Sequence, residues 1–155
     1  MRLPITRIFN SFTFMSLLEK QLQVKKSKLT GAGKGLFTKI DIQKGTRIVE
    51  YKGQLHRWED IKHEDGYNGY LLYINSNAVI NARHRVRLIG RYANDANGLI
   101  RRSGFRNNSE YVTVGSHCFI TATKNIKKGD EIFVKYGNAY WELVKRIQKK
   151  SIVNK

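Results

Sequence analysis

The sequence predicts a mainly β fold of many short strands, closed by one terminal helix. Three observations predict it. Short apolar runs such as Tyr70-Leu71-Leu72-Tyr73-Ile74 recur along the chain, each bounded by turn residues. The 13 glycines and single proline supply many tight turns without a proline-rich linker. Only residues 139–149, with Tyr140, Leu143, Val144 and Ile147 at helical spacing, carry a sustained helical period. A chain of 155 residues is the size of one domain, and neither an internal repeat nor a second domain is visible.

Taken in order, residues 1–14 are basic and free of acids, and Met15 follows at once. They read either as a loose, targeting-like arm or, the reading we favour, as sequence upstream of the start at Met15. Leu22 and Val24 alternate with polar residues as in a strand. Residues 31–35 are expected as an irregular glycine turn, 41–45 as another, and 47–51 as a strand. Residues 58–64 suit one or two helical turns. Residues 70–74 and 78–82 read as a hairpin across Asn75-Ser76-Asn77, and 111–114 with 118–122 as a second around Gly115-Ser116. After the turn at 127–130, residues 131–136 are expected as a strand. Lysines and Arg146 near the end of the 139–149 helix suit its dipole.

Composition narrows the function. Lys and Arg total 29 against 12 acids, a formal net charge of +17. That field attracts polyanions or acidic surfaces, although basic residues spread along a chain also make an ordinary solvated face. No apolar run approaches a membrane span. The lone Cys118 permits no intrachain disulfide and no cysteine-based zinc cluster, and in Cys118-Phe119-Ile120 it reads as a packed thiol. An intracellular, cytoplasmic location is therefore expected. The four histidines lack metal-ligand spacing, the serines lack a nucleophile elbow, and there is no Walker phosphate loop.

Three segments carry chemistry: Gly31-Ala32-Gly33-Lys34-Gly35-Leu36-Phe37, Arg91-Tyr92-Ala93-Asn94-Asp95-Ala96-Asn97, and Gly129-Asp130-Glu131-Ile132-Phe133-Val134-Lys135-Tyr136-Gly137. Tyr51-Lys52-Gly53 and Gly69-Tyr70-Leu71-Leu72 add two more. In this order and at these separations the chain resembles the SET-domain protein lysine methyltransferases, from about Leu22 to Trp141. That family shows a GxGxG turn, an R-F/Y-x-N-H-S segment and a G-E/D-E-L/I-x-x-x-Y-G segment. The resemblance implies a SET-domain fold of several short curved sheets with a C-terminal pseudoknot and a terminal helix. It divides the chain into an extension at 1–20, expected to be poorly ordered, a SET domain at 21–138, and a helix and tail at 139–155.

It also implies a function: methyl transfer from S-adenosyl-L-methionine to a lysine of a partner protein, possible partners being histone-like or nucleic-acid-associated. Tyr136 and Tyr70 take the catalytic channel positions. Gly33, Lys34, Gly35, Arg91, Asn94, Asp95 and Trp141 take the cofactor positions, and no metal is implied. Arg91 reads equally as a ligand contact or a clamp on carbonyls, and Trp141 as an adenine platform or helix packing. The chain departs from the pattern at Asp95-Ala96, where relatives carry histidine and serine, in lacking flanking zinc cysteines, and at Val134, often aromatic in relatives.

The chemistry fits these residue types. A lysine amine, with an ordinary pKa of about 10.4, must lose its proton and align with the breaking bond. An aromatic channel favours the neutral amine by desolvation, and tyrosine oxygens can face the polarised methyl. Two other readings remain open: a catalytically weak SET relative, suggested by Asp95-Ala96, and a small basic nucleic-acid-binding module. The second would use Arg83, Arg85, Arg87, Arg101, Arg102 and Arg106, with the alternating Arg83, Arg85 and Arg87 on one face of a strand.

Overall fold

The computed structural model describes residues 17–98 and 104–153. The arm at 1–14, most of the expected 1–20 extension, and Arg101 and Arg102 lie outside the described residues.

β1 (Leu22–Lys26) and β2 (Lys34–Thr38) pair antiparallel. The turn joining them puts Gly31 and Gly33 at φ +79 and +70, a region that a Cβ would strain. β2 is buried from Gly35 onward, on both faces, so Gly35 belongs to a strand and not to the expected turn. Leu18 is tied to the domain, its N–H donating to Ile48 O at 2.8 Å.

A three-stranded sheet has the order β3-β8-β7, from β3 (Arg47–Glu50), β7 (Ser109–Val114) and β8 (His117–Ala122). The central β8 alternates strictly: Cys118, Ile120 and Ala122 face inward, and His117, Phe119 and Thr121 face outward. Ile120 belongs to the main core with Leu36, Ile48, Val49, Ile126, Ile132 and Val134. A second three-stranded sheet, β4-β6-β5, is built from β4 (Gln54–His56), β5 (Leu71–Asn75) and β6 (Ala78–Asn81). The short helix α1 (Trp58–Ile61) and a 3-10 turn at Lys62–Glu64 connect β4 to β5. The terminal helix α2 spans Asn138–Val153, longer at both ends than its apolar period.

Two further expectations are corrected. Residues 131–136 are not a strand of a sheet. They are extended, but their partners change at every step: Glu131 bridges Phe37, Phe133 bridges Asn94 and Val134 bridges Ser109. The Ile132 N–H donates to Leu36 O at 2.7 Å and the Val134 N–H to Asn94 O at 2.8 Å. On the other side Asn108 imitates a strand, donating through Nδ2 to Glu131 O and accepting the Phe133 N–H at Oδ1, both at 2.9 Å. Residues 131–134 thus run between the 94 and 108–109 segments, the pseudoknot that the resemblance implied. The second correction concerns Arg83, Arg85 and Arg87, which occupy two successive turns after β6 and not one face of a strand. β4, with no apolar alternation in Gln54-Leu55-His56, is a strand that the pattern missed.

Candidate active site

Tyr136 leaves the pseudoknot at the foot of α2, in a cluster of rings. Its ring stacks on Trp141 (centroids 6.0 Å apart) and on Tyr111 (6.4 Å), and meets the edge of Tyr140 at 4.8 Å. Tyr51 joins through Tyr111, and Tyr140 packs edge-on against Trp141. The Tyr136 hydroxyl donates to Ala93 O at 2.6 Å, which fixes the phenol's rotation. Burial first, then the neighbouring tyrosines, pushes the Tyr136 phenol well above its ordinary range. Tyr51 and Tyr111 are raised mainly by burial too. At neutral pH these phenols are uncharged, so Tyr136 acts as a hydrogen-bonding oxygen and not as a base.

Tyr70 stands beside this cluster. The Tyr51 hydroxyl donates to Tyr70 O at 3.0 Å, and the Arg91 guanidinium lies 3.9 Å from the Tyr70 ring centroid. The Tyr70 side chain is 39% exposed, so it forms a rim. Next to it, a Cβ on Gly69 would stand 3.2 Å from the Tyr140 hydroxyl, so the chain passes close to α2 there.

Asp95 anchors the cluster from beneath. It is 4% exposed, and its carboxylate accepts four hydrogen bonds at 2.8–2.9 Å. Oδ1 takes the Asn97 N–H and Asn107 Nδ2, and Oδ2 takes the Tyr136 N–H and Trp141 Nε1. Asn107 in turn accepts the Ala96 N–H at 2.8 Å. One buried carboxylate therefore joins the 95–97 turn, the 107 segment, the Tyr136 backbone and α2.

Asn94 points the other way. Its Nδ2 donates to Lys34 O at 2.9 Å and to Glu131 Oε1 at 3.3 Å, tying the glycine turn to this segment. Glu131 is 1% exposed and also accepts Ser27 Oγ at 2.6 Å and the Lys28 N–H at 2.8 Å. A Cβ at Gly35 would run into that carboxylate, which explains the glycine. At Gly33 a Cβ would meet nothing within 4 Å, so its backbone faces open space.

Arg91 is a clamp: Nη1 donates to Ala82 O at 2.8 Å and Arg83 O at 2.7 Å, while its Nε has no hydrogen-bond partner among the described residues.

The structure thus brings Tyr136, Asp95 and Trp141 into direct contact, Tyr70 with Arg91, and Asn94 with Lys34 beside Gly33 and Gly35. Asp95 spends both carboxylate oxygens, and Arg91 its Nη1, inside the protein, so any ligand contact at Asp95 falls to its backbone. Sequence reading missed Tyr51, Tyr111, Tyr140, Asn107 and Glu131. Only Glu131, inside the Gly129-Asp130-Glu131 run, and Tyr51, inside Tyr51-Lys52-Gly53, carried a local signal. Val134 is fully enclosed in the core.

A SET-domain family model matches residues 33–137, most of the chain, a span that holds Gly33, Asn94, Asp95 and Tyr136 but not Trp141. The chain belongs to the SET-domain family. Among its relatives is the N-lysine methyltransferase KMT5A-A of Xenopus laevis, 26% identical over 129 residues, which cover 77% of this chain and 37% of the relative. Another is the histone-lysine N-methyltransferase EZH2 of Chaetomium thermophilum, 29% identical over 144 residues, covering 85% of this chain and 9% of that protein. The chain thus spans about a third or less of the length of these relatives. The methyltransferase domain of human PR domain-containing protein 2 has the same fold, with a TM-score of 0.58 at 21% identity over 79% of this chain and 82% of that one.

Proposed function

We propose that this SET-domain chain is a protein-lysine N-methyltransferase using S-adenosyl-L-methionine. One observation carries the reading: the Tyr136 hydroxyl, held at 2.6 Å by Ala93 O inside a wall of rings, adjoins a segment whose Asn94 is tied to the glycine turn. The residues fit the cofactor. Gly33 offers backbone open to close approach, and the Trp141 indole is half-buried beside Tyr136. When bound, the cofactor supplies an electrophilic sulfonium methyl group. Gly33, Lys34, Gly35 and Asn94 would hold it, with Trp141 at the edge of the site.

The chain's own part is to desolvate and align the amine. Tyr136, Tyr140 and Tyr70 wall the approach; apolar surroundings favour the neutral amine, whose proton departs to water. The Tyr136 oxygen, oriented by Ala93 O, keeps a lone pair for the incoming amine or methyl hydrogens. The substrate is a lysine in an extended protein segment, added as a strand at the β5 edge that begins next to Tyr70. The KMT5A and EZH2 relatives are named for N-lysine and histone-lysine methylation, which supports a histone-like substrate. The single cysteine suits an intracellular site of action.

The test is calorimetric titration with S-adenosylmethionine, followed by labelled-methyl transfer to histones and a cell lysate. Tyr136→Phe keeps the ring and removes the oxygen, so transfer falls by roughly a hundredfold while the thermal transition moves by only a few degrees. An unchanged rate in that variant, or no cofactor binding at high micromolar concentration, overturns the reading.

A further inference from the structure

The two turns after β6 present an exposed basic surface. Arg83, His84, Arg85, Val86 and Arg87 are five consecutive exposed residues, with Val86 60% exposed between two arginines. Among the described residues no carboxylate pairs with Arg83, Arg85 or Arg87: the ion pairs use Lys28, Lys52, Lys62, His117 and Lys145. A chain with 12 acids has partners to offer, and this loop is left without any.

The loop is also pinned. Arg91 Nη1 grips Ala82 O and Arg83 O, and the Tyr92 hydroxyl donates to Val86 O at 2.9 Å. The Arg85 N–H returns to Ala82 O and the Leu88 N–H to Arg85 O. The backbone is therefore preorganised while the three guanidinium groups stay free, which lowers the ordering cost of binding. Arg87 continues onto the rim of a cleft of about 290 Å³ that also holds Lys20 and Lys52. Glu19 and Glu50 line the same cleft, but Lys52 lies 3.8 Å and 3.4 Å from them and His117 2.6 Å from Glu50.

We propose that the Arg83–Arg87 loop is a docking surface for the phosphodiester backbone of nucleic acid. Unpaired guanidinium forks on a rigid loop match phosphate oxygens bidentately. The +17 charge of the whole chain fits a long polyanion better than a local acidic patch on a protein. If the methyltransfer reading holds, the surface also resolves a conflict: a strongly basic enzyme and a lysine-rich substrate repel each other unless a polyanion lies between them. Docking itself stands on the loop alone.

The test measures binding of labelled 30-base-pair random-sequence DNA and RNA duplexes by fluorescence anisotropy, without cofactor, so that its outcome is independent of catalysis. The variant R83Q/R85Q/R87Q is compared with R146Q/K149Q/K150Q, which removes the same charge from α2. Docking at the loop predicts at least a tenfold loss of affinity at 150 mM salt for the loop variant. Its plot of log affinity against log salt flattens by about 3, from roughly 0.9 counterions released per phosphate contact. The α2 variant loses less than threefold, and the loop variant methylates a short free peptide at the unchanged rate. The duplex bound more tightly, DNA or RNA, identifies the source of the phosphates. Equal losses in the two variants overturn the proposal, since the whole molecule's field is then responsible. So does displacement of the duplex by polyglutamate at equal charge concentration, which would point to an acidic protein partner.

Discussion

Asp95 shows how a single departure from a family pattern is absorbed. A neutral imidazole, the usual group at this position, offers one acceptor, whereas this carboxylate takes four donors from four places in the chain. Asp95→Asn keeps the size but turns one acceptor into a donor, which then faces either the Tyr136 N–H with Trp141 Nε1 or the Asn97 and Asn107 donors. Leaving such groups buried and unsatisfied costs about 2–3 kcal/mol, readable as a lower urea midpoint. The packing of Trp141 loosens with it, so its fluorescence shifts in the native baseline; a stability loss below about 1 kcal/mol would show that the carboxylate is not the joint. The substitution itself was plain in Asp95-Ala96. Its meaning was not, because the partners stand 12, 41 and 46 residues away at Asn107, Tyr136 and Trp141. The same holds for Tyr111, which looks like an ordinary strand tyrosine until the pseudoknot brings Tyr136 to it; Tyr51 carries a motif, but nothing in it shows the contact with Tyr111.

At the scale of elements, legibility followed partner geometry. β8 was readable because each inward residue recurs at every second position against the same core. Residues 131–134 were misread as a strand since an extended apolar run says nothing about whether one neighbour accompanies it throughout or several take turns. The Arg83–Arg87 alternation misled for a related reason, as period two without an apolar face does not specify a strand. These differences predict unequal sensitivity. Ile120→Ala opens a cavity at the centre of the main core and costs about 3–4 kcal/mol. Val114→Ala, at the half-exposed end of β7, costs less than about 1 kcal/mol. Chemical denaturation of the two variants separates them, and similar losses would place the core elsewhere than under β8.

Across the whole molecule, the same burial that shapes the site sets the pH range in which it can work. Tyr51, Tyr111 and Tyr136 have phenols raised above the ordinary value of 10.0, and burial, with Glu50 nearby, pushes the Cys118 thiol from 9.0 up to about 12. Below about pH 8 these groups are protonated in both folded and unfolded chains and do not make stability pH-dependent. Above it the unfolded chain releases protons that the folded one retains, so stability is lost as pH rises, by about 1.4 kcal/mol per pH unit for each group. Lysines also lose charge above pH 10, which relieves the self-repulsion of a +17 chain. That relief is spread over exposed groups screened within about 8 Å at physiological salt, and the buried phenols prevail. The proposed methyl transfer would run in the opposite direction, because more of a lysine substrate is neutral as pH rises towards its ordinary pKa of about 10.4. The rate is therefore expected to climb roughly tenfold per unit from pH 7 and to break near pH 9–10 as the fold weakens. Urea unfolding from pH 7 to 11 tests the cause directly. The native chain holds a flat midpoint to about pH 8, declines slightly as the Cys118 thiol of the unfolded chain ionises, and falls more steeply above about pH 9. Tyr136→Phe declines less steeply, by about 1.4 kcal/mol per pH unit in the alkaline limb, and an identical slope in the two chains would remove Tyr136 from the set of buried phenols that fix the alkaline limit.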